Sequence, residues 1–176
     1  MATVPSTAKV VVIGAGIVGN SLVHHLAELG WTDIVQLDMG PLPNPGGSTG
    51  HASNFIFPVD HSREITDLTL DSVRQYKELG VFTESGGYEV ARTEERMEEL
   101  RRRMSSARAW GVPAELVTPD HVVERVPYLD KDKILGAFWT PSVGVVDSLR
   151  AGTLFREFGI TADAVVEAAR AALDAQ

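Results

Sequence analysis

The sequence predicts an α/β fold, and three observations carry that prediction. A β-branched run, Lys9-Val10-Val11-Val12-Ile13, closes on Gly14-x-Gly16-x-x-Gly19. An apolar-periodic segment from Asn20 to Leu29 follows at once. Asp33-Ile34-Val35-Gln36-Leu37-Asp38 then reads as a second strand ending on an acid. Strand, tight turn, helix and strand in this order make a βαβ unit, with the two strands parallel because the helix carries the chain back across them.

Each glycine has its own physical duty. Gly14 allows the sharp turn off the strand, Gly16 lets a pyrophosphate approach the backbone, and Gly19 lets the helix pack against the strand. The first-turn amides, those of Ile17 and Val18 among them, point with the helix dipole at a negative ligand. Asp38 lies 19 residues after Gly19, the spacing at which a carboxylate takes the ribose hydroxyls of an adenine dinucleotide. The unit is thus Rossmann-like and dinucleotide-binding, against the plainer alternative of a glycine turn in an ordinary βαβ unit. An acid at that position disfavours NADP and suits NAD and FAD equally.

The rest of the chain follows in order. Residues 1–8 are a small, polar lead-in. Met39 to Gly50 holds prolines and glycines and forms a loop that borders the same ligand. Aromatic residues from His51 to Phe57 turn the chain back inside. A helix begins near Ser62 or Arg63 and carries Ile65, Leu68, Leu70, Val73 and Tyr76 until Gly80 stops it. After a glycine turn comes a strand to Arg92, and Thr93 then caps a helix reaching Trp110 with Glu94 and Glu95 in its first turn. Its many charges form a solvated face of i,i+4 pairs. Ala114–Val117 is a short strand, and Thr118-Pro119-Asp120 opens a short helix with proline at its first position. Ile134–Thr140 is a further strand, with a turn over Pro141–Gly144. Asp147-Ser148 caps a helix from Leu149 to Phe158, broken at Gly159. Thr161 caps an alanine-rich last helix, Ala162–Ala172.

Composition narrows the function classes. At 176 residues, with 44% hydrophobic residues, the chain can bury a core. A formal net charge of −8 argues against nucleic acid and anionic membrane surfaces as partners. With no cysteine, disulfides, thiolate metal sites and cysteine nucleophiles are excluded. The apolar run near the N-terminus is too short to span a membrane and has no signal-peptide flanks, so the expected location is cytoplasmic. His24, His25, His61 and His121 read as helix-surface or cap residues, with no metal spacing joining them and no metal site expected.

At Gly47-Ser48-Thr49-Gly50-His51-Ala52 the chain resembles the FAD-dependent amine oxidoreductases of the dimethylglycine oxidase, dimethylglycine dehydrogenase and sarcosine dehydrogenase type. Further matches are Gly87 with its strand, Thr93-Glu94-x-Arg96, Ala109-Trp110-Gly111, Pro127-Tyr128-Leu129 and Ile134-Leu135-Gly136-Ala137, so the likeness spans about residues 8–150. The resemblance turns the choice from NAD to FAD. It implies that 9–150 are the N-terminal part of an FAD-binding domain, with part of a substrate domain, and that 151–176 form a helical tail. It also implies that His51 is bonded to the flavin 8α carbon. A neutral imidazole is a nucleophile, and the 8-methyl becomes electrophilic through a quinone-methide tautomer. The cofactor-binding set is then Gly14, Gly16, Ile17, Val18, Gly19, Asp38, Met39, Gly47, Ser48, Thr49 and His51.

This chain departs from the family pattern at several positions. Ser53-Asn54 stand where the family has a small residue and glycine, Val23 replaces an alanine, and Val143 stands where an acid is usual. Family members continue for several hundred residues more, which supply the rest of the site, so no catalytic residue is assigned. Leu154 to Arg170 is similar to the C-terminal tail of a transketolase. The expected activity is oxidation of an N-methylglycine-type amine by hydride transfer to FAD, giving an iminium. The alternatives are a truncated, non-catalytic dinucleotide-binding subunit that needs a partner chain or a second copy to complete its fold, and an NAD-binding domain.

Overall fold

The structure, a computed structural model, describes residues 5–42 and 46–159. In chain order the elements are β1 (Val10–Ile13), α1 (Ile17–Glu28), β2 (Ile34–Leu37), a 3-10 turn (Ser48–Gly50), β3 (Phe55–Ile56), α2 (Arg63–Glu78), β4 (Phe82–Glu84) and β5 (Gly87–Ala91). There follow α3 (Glu94–Trp110), β6 (Glu115–Val117), α4 (Pro119–Arg125), a second 3-10 turn (Lys131–Lys133), β7 (Gly136–Thr140), β8 (Gly144–Val146) and α5 (Ser148–Gly159). The Thr161 cap, the Ala162–Ala172 helix, most of the transketolase-like stretch, residues 1–4 and residues 43–45 lie outside the described residues.

The chain divides into two compact units, one running up to Asn54 and resuming at Asp147, the other Phe55–Val146. In the first, β1 and β2 pair in parallel from Val10 opposite Ile34 to Ile13 opposite Leu37. Val12, Val23 and Ile34 form its buried core, with Val10 and Leu26 packed against them. Val23 is thus a core side chain, which accounts for a residue larger than alanine there. α5 lies along α1, and the buried Ala151 and Phe155 supply its contact face. The helix after the glycines begins at Ile17, three residues before the apolar period shows, because the glycine loop itself makes the first turn.

The second unit holds two antiparallel sheets, ordered β3-β8-β4 and β5-β7-β6. α3 lays Leu100, Met104 and Ala107 against Ala91 and Phe138, where they form a core with Val59 and Val112. These positions recur at i, i+4 and i+7, the stripe that a buried helix face requires. Ser62, Thr93 and Thr118 accept the N–H of the residue three further on and so cap α2, α3 and α4. β3, β4 and β8 were not expected as strands, and β8 takes up Gly144, the end of the predicted turn. Gly144 lies against β4, where a Cβ would stand 2.4 Å from Thr83 O. Val143 is fully buried, and a Cβ on Gly87 would meet its side chain at 2.6 Å. An acid at 143 would lie in that packing.

Candidate dinucleotide site

The site is built where β1 ends and α1 begins. Gly14 takes φ of +112°, a conformation that disfavours any side chain. A Cβ on Gly19 would stand 2.0 Å from Gly14 O, so backbone meets backbone where α1 crosses the loop. At Gly16 a Cβ would come within 3.0 Å of Thr49 Oγ1. The N-cap of α1 is Gly16, which has no side chain to cap the helix, and the first turn carries no acid. Among its orphan N–H groups, that of Ile17 donates to Thr49 Oγ1 at 2.9 Å, so a residue 32 positions later supplies the missing cap. Thr49 is held in turn, because Ser148 Oγ donates to its carbonyl at 2.9 Å.

Two buried side chains that sequence reasoning missed fix the loop from behind. Gln36 Nε2 donates to Gly14 O at 2.9 Å and to Asn20 Oδ1 at 3.1 Å, while Asn20 Nδ2 donates to Ala15 O at 3.0 Å. The signal was available for Gln36. It shares the inward register of Ile34 on β2, so a polar residue there must have partners inside.

Asp38 closes the same loop from the end of β2. Its Oδ2 accepts the N–H of Ala15 at 2.6 Å and its Oδ1 that of Gly40 at 2.8 Å. The carboxylate therefore stands beside the glycines, with further lone pairs for ribose hydroxyls. A cleft of about 450 Å³ opens between the end of β1, the first turn of α1 and the residues Ser48, Thr49 and Ala52. The structure brings Gly14, Gly16, Ile17, Val18, Gly19, Ser48 and Thr49 together around it. Asp38, Met39, Gly47 and His51 stand outside its lining; Met39 is 92% exposed, and His51 ends the 3-10 turn with its N–H on Ser48 O and its side chain exposed. Asn54 takes φ of 60°, the left-handed conformation, where the family pattern has glycine.

These residues fit an adenine dinucleotide. The cradle admits no side chain at Gly19, the helix start faces outward without an acid, and a carboxylate sits at the second strand end. The FAD dependent oxidoreductase family profile matches residues 9–167. The chain is 33% identical over 151 residues to the mitochondrial pyruvate dehydrogenase phosphatase regulatory subunit of Mus musculus, covering 82% of this chain and 17% of that protein. It is 32% identical over 162 residues to the mitochondrial sarcosine dehydrogenase of Homo sapiens, covering 85% of this chain and 17% of that one. The chain thus spans about a sixth of the length of these curated relatives. Among solved structures, L-proline dehydrogenase from P. horikoshii superposes with a TM-score of 0.83 at 27% identity, covering 94% of this chain and 45% of that chain.

Proposed function

Since the chain belongs to the FAD dependent oxidoreductase family, we propose that it forms the FAD-holding part of an oxidoreductase acting on N-methylglycine-type amines such as dimethylglycine or sarcosine. The observation that carries this is the closure at the start of α1. Side chains are excluded at Gly19, and the Thr49 hydroxyl at the loop already accepts from Ile17. The Thr49 proton is then free to be donated outward to a phosphate oxygen. Asp38 takes the ribose hydroxyls, and Gln36 and Asn20 keep the loop carbonyls turned back, leaving the amides not already held by Leu37, Asp38 and Thr49 to meet the ligand.

A bound flavin would supply the acceptor for a hydride equivalent from a C–H next to the substrate's amine nitrogen. His51 is assigned the covalent link through a ring nitrogen to the 8α carbon, on the support of its neighbours Gly47 to Ala52 and its exposed side chain. Absorbance of the purified protein before and after acid precipitation tests the assignment. Flavin colour is expected in the pellet, and His51→Ala is expected to release it to the supernatant; colour retained in the pellet by that variant would contradict the link.

A second reading is a flavin-binding subunit without its own catalysis, completed by a partner chain or a second copy. Its support is the likeness to a regulatory subunit and the exposure of the β1 side chains Val11 and Ile13, 56% and 86%. Dye reduction with sarcosine or dimethylglycine separates the two: turnover supports the first reading, and a flavin-loaded protein with no turnover supports the second.

A further inference from the structure

In the last turns of α1 the fold gathers three groups with no part in the dinucleotide site. His24 Nε2 stands 3.4 Å from Glu28 Oε1, and His25 Nδ1 stands 2.8 Å from Glu28 Oε2. The three ligand atoms all lie within 4.8 Å of one another. His24 and Glu28 are one helical turn apart and rise from the same face, while the adjacent His25 reaches the same carboxylate with its nearer ring nitrogen. The rings are held in place from α5. That of Phe155 lies 5.0 Å from the His24 ring and 6.2 Å from the His25 ring, and the two imidazoles lie 5.1 Å apart. Glu28 is also the last residue of α1, where the helix dipole opposes an anion and favours a cation.

We propose that His24, His25 and Glu28 bind a divalent transition metal ion of the zinc type, with a coordination position left open to water. Two imidazoles and one carboxylate suit zinc, copper or nickel rather than calcium or magnesium, which call for oxygen ligands. Zinc bonds of about 2.0–2.2 Å place neighbouring ligand atoms of a tetrahedron about 3.3 Å apart. The separations of 3.4 and 2.8 Å bracket that value, and small rotations of the Glu28 and His25 side chains, 59% and 41% exposed, complete the set.

The strength of the site follows from its surroundings. Coordination through Nε2 leaves the His24 proton on Nδ1, an atom buried with no acceptor. Lack of that outer hydrogen bond costs about 10–100-fold in affinity. Because the ion binds the folded form, it stabilises the unit by mass action. The glycine loop lies at the opposite end of α1, so metal and dinucleotide bind without touching.

Isothermal titration of zinc chloride into the untagged full chain tests the site. One equivalent is expected to bind with a dissociation constant well below millimolar near neutral pH. Glu28→Gln and His25→Gln are each expected to weaken it at least about tenfold, while His61→Gln leaves it unchanged. Circular dichroism and FAD uptake check that the variants fold. The absence of saturable binding below millimolar zinc would overturn the site, as would binding that either substitution weakens less than that.

Discussion

At the scale of single residues, the two glycines at the start of α1 are expected to differ in a measurable way. Gly19→Ala sets a Cβ against the Gly14 carbonyl at 2.0 Å, and backbone there cannot yield without moving α1 off β1. At Gly16 the obstacle is the Thr49 hydroxyl at 3.0 Å, the end of a side chain that can rotate. Gly19→Ala is expected to lower stability by about 1–3 kcal/mol and to abolish FAD uptake. Gly16→Ala is expected to keep most of the stability and weaken uptake; equal urea midpoints for the two variants would contradict the crossing. Gln36→Leu leaves Gly14 O and Asn20 Oδ1 without that donor in a buried setting, and is expected to cost about 1–3 kcal/mol in urea unfolding. A neutral result would mean the loop does not depend on it. The glycine spacing and Asp38 were legible in the sequence because they sit within one βαβ unit. The Thr49 to Ile17 bond was not, since nothing local ties residues 32 positions apart. Likewise, histidine spacing alone did not point to the proposed metal site, because Glu28 belongs to the commoner pattern of an i,i+4 ion pair.

At the scale of elements, the helices were legible and the shortest strands were not. α2 and α3 announce themselves by a cap residue, acids in the first turn and a stopping glycine, and the structure holds their ends within a residue of expectation. β3, β4 and β8 span two or three residues each, too few for an alternation to show, and they exist through pairing with one another. The capping acids make a pH prediction. The carboxyl of Glu95 is held below its ordinary 4.5 by its own backbone N–H and then by the Thr93 hydroxyl, and that of Glu64 likewise by its own N–H and then by Ser62. A folded-state pKa below the unfolded one gives stability that is present above about pH 4.5 and is lost as pH falls through the folded value. The double variant Glu64→Gln, Glu95→Gln is expected to unfold at lower urea than the parent near pH 7, with the two curves converging as pH falls well below 4.5. A gap of constant size would contradict the capping role.

At the scale of the whole molecule, the chain comprises two compact units, of which the first, with β1, α1, β2 and α5, carries the proposed dinucleotide site. No helix among the described residues is long and apolar enough to cross a membrane. Exposed apolar side chains on β1 are a liability for a chain handled alone. Val11→Thr keeps shape and β-branching at a 56% exposed position. It is expected to leave the urea midpoint within about 0.5 kcal/mol while lowering the aggregated fraction in size exclusion. A larger loss of stability would mean that this face is covered in solution.

The central claim, that the glycine loop of the first unit seats FAD, is tested most directly by stripping the flavin from the His51→Ala chain, which cannot hold it covalently, then titrating FAD back and following the quenching of flavin fluorescence. Saturable quenching at one FAD per chain, lost in Gly19→Ala, is the predicted result. A folded chain that neither carries absorbance near about 450 nm nor quenches added FAD would contradict it.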